Sequence, residues 1–191
     1  GMRVFLAVEV PLPIIKNIQK IQDILRRQVQ GAIRWVRPEG VHLTLKFFGE
    51  VSSEEAGKII TAAAERTVTV PPFELEARGL GVFPDVNRPR VIWLGIAGEV
   101  GPLLLLQREL EETFGRLGFP KEERPFRAHL TLGRIKVPRG VPGLAGALEA
   151  AAASRAGSFR VEEAALFRSE LTPGGAIYTR LASFPLRGQE V

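Results

Sequence analysis

The tetrapeptide His-Leu-Thr-Leu occurs twice, at 42–45 and 129–132, and the two copies hold both histidines of the 191-residue chain. The copies are offset by 87 positions (129 minus 42). Around them Phe73 and Phe159 are offset by 86 (159 minus 73), and Ile92 and Tyr178 by 86 (178 minus 92). A near-constant offset marks an internal duplication, with two copies rather than a solenoid array. Each half reads helix, motif strand, helix, strand, turn, strand. The expected architecture is α+β and bilobal: two antiparallel sheets, helices on their outer sides, and a central cleft across which the motif strands face each other. No linker divides the chain, so residues 1–191 form one bilobal domain.

Each motif alternates as a strand does. Strict alternation puts His42, Thr44 and Lys46 on one face, with Leu43, Leu45 and Phe47 on the other. His129 and Thr131 likewise oppose Leu130 and Leu132. The leucine faces predict core, and the His/Thr faces a wetter surface. Imidazole exchanges a proton near neutral pH, and the threonine hydroxyls are donors beside it. A lone histidine on a strand is more often structural or merely exposed. Two identical copies that use every histidine favour an acid/base pair.

The remaining elements follow from pattern. Val4–Val8 predicts a buried strand. Pro11 and Pro13 open an amphipathic helix over 13–29, with Ile14, Ile18, Ile21, Leu25 and Val29 at helical spacing. Ser52 and Glu55 form a capping-box signal for a helix over 53–66. Strands are expected at 73–80 and 91–96, joined by a turn-rich loop, 81–90, that could form a substrate rim. Pro102 starts a periodic helix that ends at Gly118. The second motif strand spans about 127–136, Pro142 opens another helix, and 159–167 and 176–184 are closing strands.

Composition narrows the function. An apolar share of 45% and a charged share of 25% suit a soluble globular chain. No apolar run approaches the ~18 residues of a membrane span, and Pro11 and Pro13 interrupt any secretory signal. A cytoplasmic protein is expected, with Gly1 read as the scar of a cleaved tag. Zero cysteines exclude disulfides, thiolate catalysis and Cys-type zinc sites. A net charge of +5 and a pI of about 10.1 suit a phosphate-bearing partner. The glycine-rich runs 79–81 and 140–146 lack a phosphate-loop lysine and read as turns.

The paired H-x-T-x motifs resemble those of the 2H phosphoesterases. The wider stretch Arg34-Trp35-Val36-Arg37-Pro38-Glu39-Gly40-Val41-His42 through Val51 is similar to the bacterial and archaeal RNA 2′,3′-cyclic phosphodiesterases, also called 2′-5′ RNA ligases. The resemblance covers essentially the whole chain. It implies a metal-independent, cofactor-free enzyme that opens a 2′,3′-cyclic phosphate on RNA to a 2′-phosphomonoester, with a reversible 2′-5′ ligation. It implies His42 as proton donor, His129 as proton acceptor, and Thr44 and Thr131 on the phosphate. Arg134, five residues after the second histidine, matches a family arginine, but alternation puts it opposite His129 unless a bulge near Gly133 re-aims it. Phe5, Phe48, Trp35 and Tyr178 are candidates to stack on a base, each more often core. Lys46 lines the cleft or is simply exposed, and Arg34 and Arg37 are candidates to track an RNA backbone. Three other readings compete: a phosphodiesterase for 2′-5′ oligonucleotides or a small cyclic nucleotide, a non-catalytic RNA-binding module, and a histidine metal site. The last is weakest, because two histidines lack a clear third ligand. RNA ends or nucleotides bearing a cyclic phosphate are the expected partners, no membrane is, and a monomer is the plain expectation.

Overall fold

The computed structural model describes residues 1–29, 31, 33–137 and 141–190. Gly140, the first residue of the second glycine-rich run, lies outside the described residues. The strands are β1 (Met2–Glu9), β2 (Ile33–Trp35), β3 (His42–Val51), β4 (Phe73–Phe83), β5 (Val91–Gly98), β6 (His129–Ile135), β7 (Arg155–Val161), β8 (Glu163–Thr172) and β9 (Gly175–Pro185). The helices are α1 (Leu12–Gln28), α2 (Ser53–Thr67), α3 (Val100–Arg116) and α4 (Leu144–Ala150). Two antiparallel sheets result, ordered β3-β1-β8-β9 and β2-β6-β5-β4-β7.

Local chemistry explains most of these elements. The apolar stripe of α1 buries Ile14, Ile18, Ile21 and Leu25. At the start of α2 the Ser52 hydroxyl accepts from the Glu55 N–H while the Glu55 carboxylate accepts from the Ser52 N–H, satisfying two amides that the helix leaves free. Leu103, Leu106, Leu110 and Phe114 form the buried stripe of α3. After it Gly118 takes a φ of 95°, where a side chain would be strained.

The lobes are not the two halves of the sequence. The first sheet takes β1 and β3 from the first half and β8 and β9 from the end of the chain, whereas the second joins β4 of the first half to β5 and β6. The helices cross as well. The side chain of α1 Gln22 reaches the second sheet at Leu132, and α3 Gln107 reaches the first at Leu45. The stretch 159–167, expected as one strand, is two. It breaks at Glu162, leaving β7 paired with β4 in the second sheet and β8 paired with β1 in the first.

A main core lies between the sheets and the helices that cover them. A second, smaller cluster of Phe5, Ala7, Ala165 and Phe167 is separate from it. These four share the helix-free face of the first sheet, because directly paired residues across antiparallel strands point the same way. The motif strand β3 is the edge of that sheet and runs beside β6 of the other. The two motifs thus meet where the helix-free faces converge.

Candidate active site

The two histidines are held alike. His42 Nδ1 lies 2.8 Å from the Gly40 carbonyl oxygen, and His129 Nδ1 lies 2.7 Å from that of Arg127. A carbonyl only accepts, so Nδ1 carries the hydrogen and Nε2 of the neutral ring keeps a free lone pair. Each ring is thereby fixed by a backbone atom two residues before it. The carbonyl of Gly40 belongs to a short 3-10 turn, Pro38–Gly40, that leads into β3.

The surroundings of the rings differ. His42 is boxed by Phe167, Tyr178 and Phe5, with centroids at 4.9, 5.2 and 5.8 Å. Burial there pushes its pKa below the ordinary imidazole value, and the hydrogen bond to Gly40 offsets this in part. His129 meets one aromatic ring edge-on, that of Phe83, at 5.1 Å. Phe83 also lies 5.3 Å from Trp93, and the Arg127 guanidinium sits 5.5 Å from its centroid.

Both motif strands carry a bulge at the same place. Thr44 pairs with Ala7 but Lys46 with Leu6, so Leu45 is the extra residue. Thr131 pairs with Trp93 but Gly133 with Ile92, so Leu132 is the extra residue. Each bulge shifts side-chain parity by one. In β6 it turns Arg134 onto the face of His129 and Thr131, where strict alternation alone would have set it opposite. In β3 it overturns the expectation for two residues. Lys46 does not line the cleft: it turns inward, 7% exposed, to pair with Glu111 and donate to the Pro120 carbonyl. Phe47 is not core: it stands on the His42 face, 66% exposed.

A glutamine serves each bulge. Gln22 Nε2 donates to the Leu132 carbonyl at 3.0 Å and to Val36 at 2.7 Å. Gln107 Nε2 donates to the Leu45 carbonyl at 3.3 Å. The Leu132 carbonyl also accepts from the Val36 N–H at 2.9 Å, so Gln22 is its second donor, whereas a bulged carbonyl such as that of Leu45 is out of the regular ladder and takes a side-chain donor instead. Sequence reasoning passed over both glutamines. The available signal was a polar residue inside an apolar helical stripe, Gln22 beside Ile21 and Gln107 beside Leu106.

The other candidates divide. Tyr178 is half-exposed and stands against His42. Phe5 shares that face but is covered, so it supports the histidine and offers no surface for a base. Phe48 points the other way, packing on Phe114 and Phe119 in the core. Trp35 lies over Gly133 and under the Arg26 guanidinium, away from the motifs. Arg37 donates to the Gly174 carbonyl, fastening the approach to β3 onto the β8–β9 turn. Arg34 is exposed and directly opposes Arg134 across β2 and β6. In the 81–90 loop, β4 runs on to Phe83, and Asp85 Oδ1 accepts from the N–H groups of Asn87 and Arg88. Among the described residues no three His, Cys, Asp or Glu side chains cluster as a metal site would require, and no helix is long and apolar enough to cross a membrane.

Two sequence repeats, each carrying a histidine whose Nδ1 is held by a backbone carbonyl and a threonine two residues on, with their motif strands side by side, are the pattern of a two-histidine phosphoesterase. The chain belongs to the LigT-like phosphoesterase family, whose model matches residues 8–93 and again 94–178. An RNA 2′,3′-cyclic phosphodiesterase of Methanothermobacter thermautotrophicus is 39% identical over 185 residues, covering 97% of this chain and 99% of that one. The crystal structure of TT0787 of Thermus thermophilus superposes with a TM-score of 0.80 at 32% identity, covering 99% of this chain and 100% of that one. Escherichia coli LigT complexed with 3′-AMP gives 0.74 at 28% identity, covering 97% and 98%.

Proposed function

We propose that the protein is a metal-independent RNA 2′,3′-cyclic phosphodiesterase that opens the ring to a 2′-phosphomonoester. The observation that carries this is the pair of matched imidazoles, each with Nδ1 tied to a backbone carbonyl and Nε2 left to handle a proton. Relatives named for this activity support it.

His129 Nε2 takes a proton from water as its oxygen attacks phosphorus. Doubly protonated His42 gives one to the departing 3′ oxygen on the far side, as in-line displacement requires. The P–O3′ bond breaks and the phosphate stays on O2′. Thr44 and Thr131 donate to the non-bridging oxygens, where negative charge accumulates, and Arg134, on the same face, adds a guanidinium. The aromatic box lowers the cost of losing the proton from His42, because it disfavours the charged ring. If an RNA 5′-hydroxyl replaces water, the same bond breaks and a 2′-5′ linkage forms, so hydrolysis and ligation share one regiochemistry. The protein acts as a cytoplasmic monomer on RNA ends.

The test is incubation with cytidine 2′,3′-cyclic phosphate and chromatography against both monophosphates, with and without exhaustive chelation. Cytidine 2′-phosphate in both arms is expected. Predominant 3′-phosphate would reverse the donor and acceptor roles. Loss with chelator, restored by one divalent ion, would refute metal independence. Binding without turnover would favour an RNA-binding module.

A further inference from the structure

Arg34 and Arg134 are direct cross-strand partners. Both guanidiniums are exposed, and neither meets a carboxylate among the described residues. Other arginines do: Arg66 pairs with Glu109, Arg155 with Glu76 and Arg168 with Glu170. Like charges placed opposite each other on a sheet repel, and β2 is only three residues long. The strand keeps this repulsion because its alternate residues anchor it. Ile33 and Trp35 pair with Ile135 and Gly133 on the other face, where a Cβ on Gly133 would lie 3.1 Å from Ile33 and 3.2 Å from Trp35. Arg34 is therefore presented on the face of His129 and Thr131, one strand beyond Arg134. An anion between the two guanidiniums would turn repulsion into attraction, and the planar fork of arginine matches phosphate oxygens two at a time.

We propose that Arg34 supplies a second phosphate subsite beside Arg134, which holds the phosphate on the 5′ side of the nucleotide whose cyclic phosphate is opened. This rests on the phosphodiesterase reading above. In an RNA ending in a 2′,3′-cyclic phosphate, the nearest other phosphate is the one 5′ of the terminal ribose. With the bulged residue discounted, four steps of ~3.3 Å carry β6 from His129 to Arg134, and Arg34 lies ~4.8 Å to the side. Over that span Arg34 can meet a neighbouring phosphate while the cyclic one sits at the histidines, with the Arg134 guanidinium between the two anions and facing both. The enzyme thereby distinguishes an RNA end, or a 5′-phosphorylated nucleotide, from a bare nucleoside cyclic phosphate.

The experiment measures kcat/KM on cytidine 2′,3′-cyclic phosphate, its 5′-phosphorylated form and the dinucleotide CpC with a terminal cyclic phosphate. Wild type, R34A, R34Q and the outer-helix control R116A are compared, with thermal melts to show that each is folded. Wild type is expected to favour the two substrates with a 5′ phosphate by at least about tenfold at low salt. That ratio should shrink as salt screens the contact. R34A and R34Q should bring it close to one, and R116A should keep it. Equal wild-type rates on all three substrates, or a ratio that survives in folded R34A and R34Q, would overturn the subsite. A wild type that opens none of them would overturn the phosphodiesterase reading itself.

Discussion

Backbone carbonyls, not carboxylates, orient both imidazoles. Among the described residues no carboxylate pairs with His42, and its burial in the aromatic box disfavours the charged ring. His42→Ala and His129→Ala are each expected to lose at least about a hundredfold in kcat/KM, the usual scale for a general acid or base. Circular dichroism should be unchanged, since both side chains stand outside the main core. Wild-type turnover in either variant would remove the histidine from the mechanism. The sign of the pH effect follows from the direction of the His42 shift. A donor with a lowered pKa is protonated only at lower pH, so in the free enzyme His42 gives up its proton below the ordinary value of 6.5. The profile of kcat/KM should be bell-shaped, its acid limb below pH 6.5, with both limbs belonging to the coupled pair. Titration of the ring by NMR checks this directly. A midpoint above 6.5 in the free enzyme would contradict it, and Tyr178→Ala, by opening the box, should move the midpoint upward.

At the level of the strand, the paired bulges decide which side chains meet substrate. The extra residue in each motif strand offers its carbonyl to a glutamine from the helix that crossed over from the other repeat. Fully buried Gln22 serves two carbonyls at once. Gln22→Met keeps the volume but takes the side-chain donor from the Val36 oxygen and the second donor from the Leu132 oxygen, which keeps the Val36 N–H. The expected loss is about 1–3 kcal/mol in denaturant unfolding, the cost of leaving one polar group, the Val36 oxygen, without its donor. KM should rise with it, because Arg134 follows that bulge directly. A variant with unchanged stability and unchanged KM would show that the bulge holds itself. Lys46 belongs to the same element and shows the other consequence of its bulge: the parity change that exposes Phe47 puts a lysine into the interior, where Glu111 and the Pro120 carbonyl receive it.

Over the whole molecule, each sheet is completed by chain from the other half. Residues before 90 supply β1 and β3 to the first sheet and β2 and β4 to the second, and later residues supply the rest of both. Neither half can close a sheet on its own, so the lobes should melt together. A single calorimetric transition with equal calorimetric and van't Hoff enthalpies is expected, and fragment 1–88 alone should lack native structure. Two separable transitions would show independent lobes. The arrangement also holds the two motif strands together, since the chain passes repeatedly between the sheets and α1 and α3 each bond to the motif strand of the other half.

The sequence alone determined the duplication, the helix stripes, the α2 capping box and the pairing of each histidine with a threonine. The duplication shows in an offset of 86 or 87 positions that any two copies of one pattern reveal, and the others depend on residues within a few positions of one another, where 3.6- and 2-residue periods are printed directly. Tertiary structure decided the rest. Alternation placed Lys46 and Phe47 on the wrong faces, because a bulge depends on which carbonyl a distant glutamine reaches. The same offset that matched the two motifs could have carried the bulge suspected at Gly133 back to Leu45. The stretch 159–167 read as one strand because its composition is continuous. It divides because β4 and β1, neither adjacent in sequence, each claim part of its hydrogen bonds. Arg34 and Arg134 are 100 residues apart (134 minus 34), and only the pairing of β2 with β6 makes them neighbours. A strand's period is a property of its own residues, whereas its partner, register and bulges are set by backbone groups that the rest of the fold must satisfy.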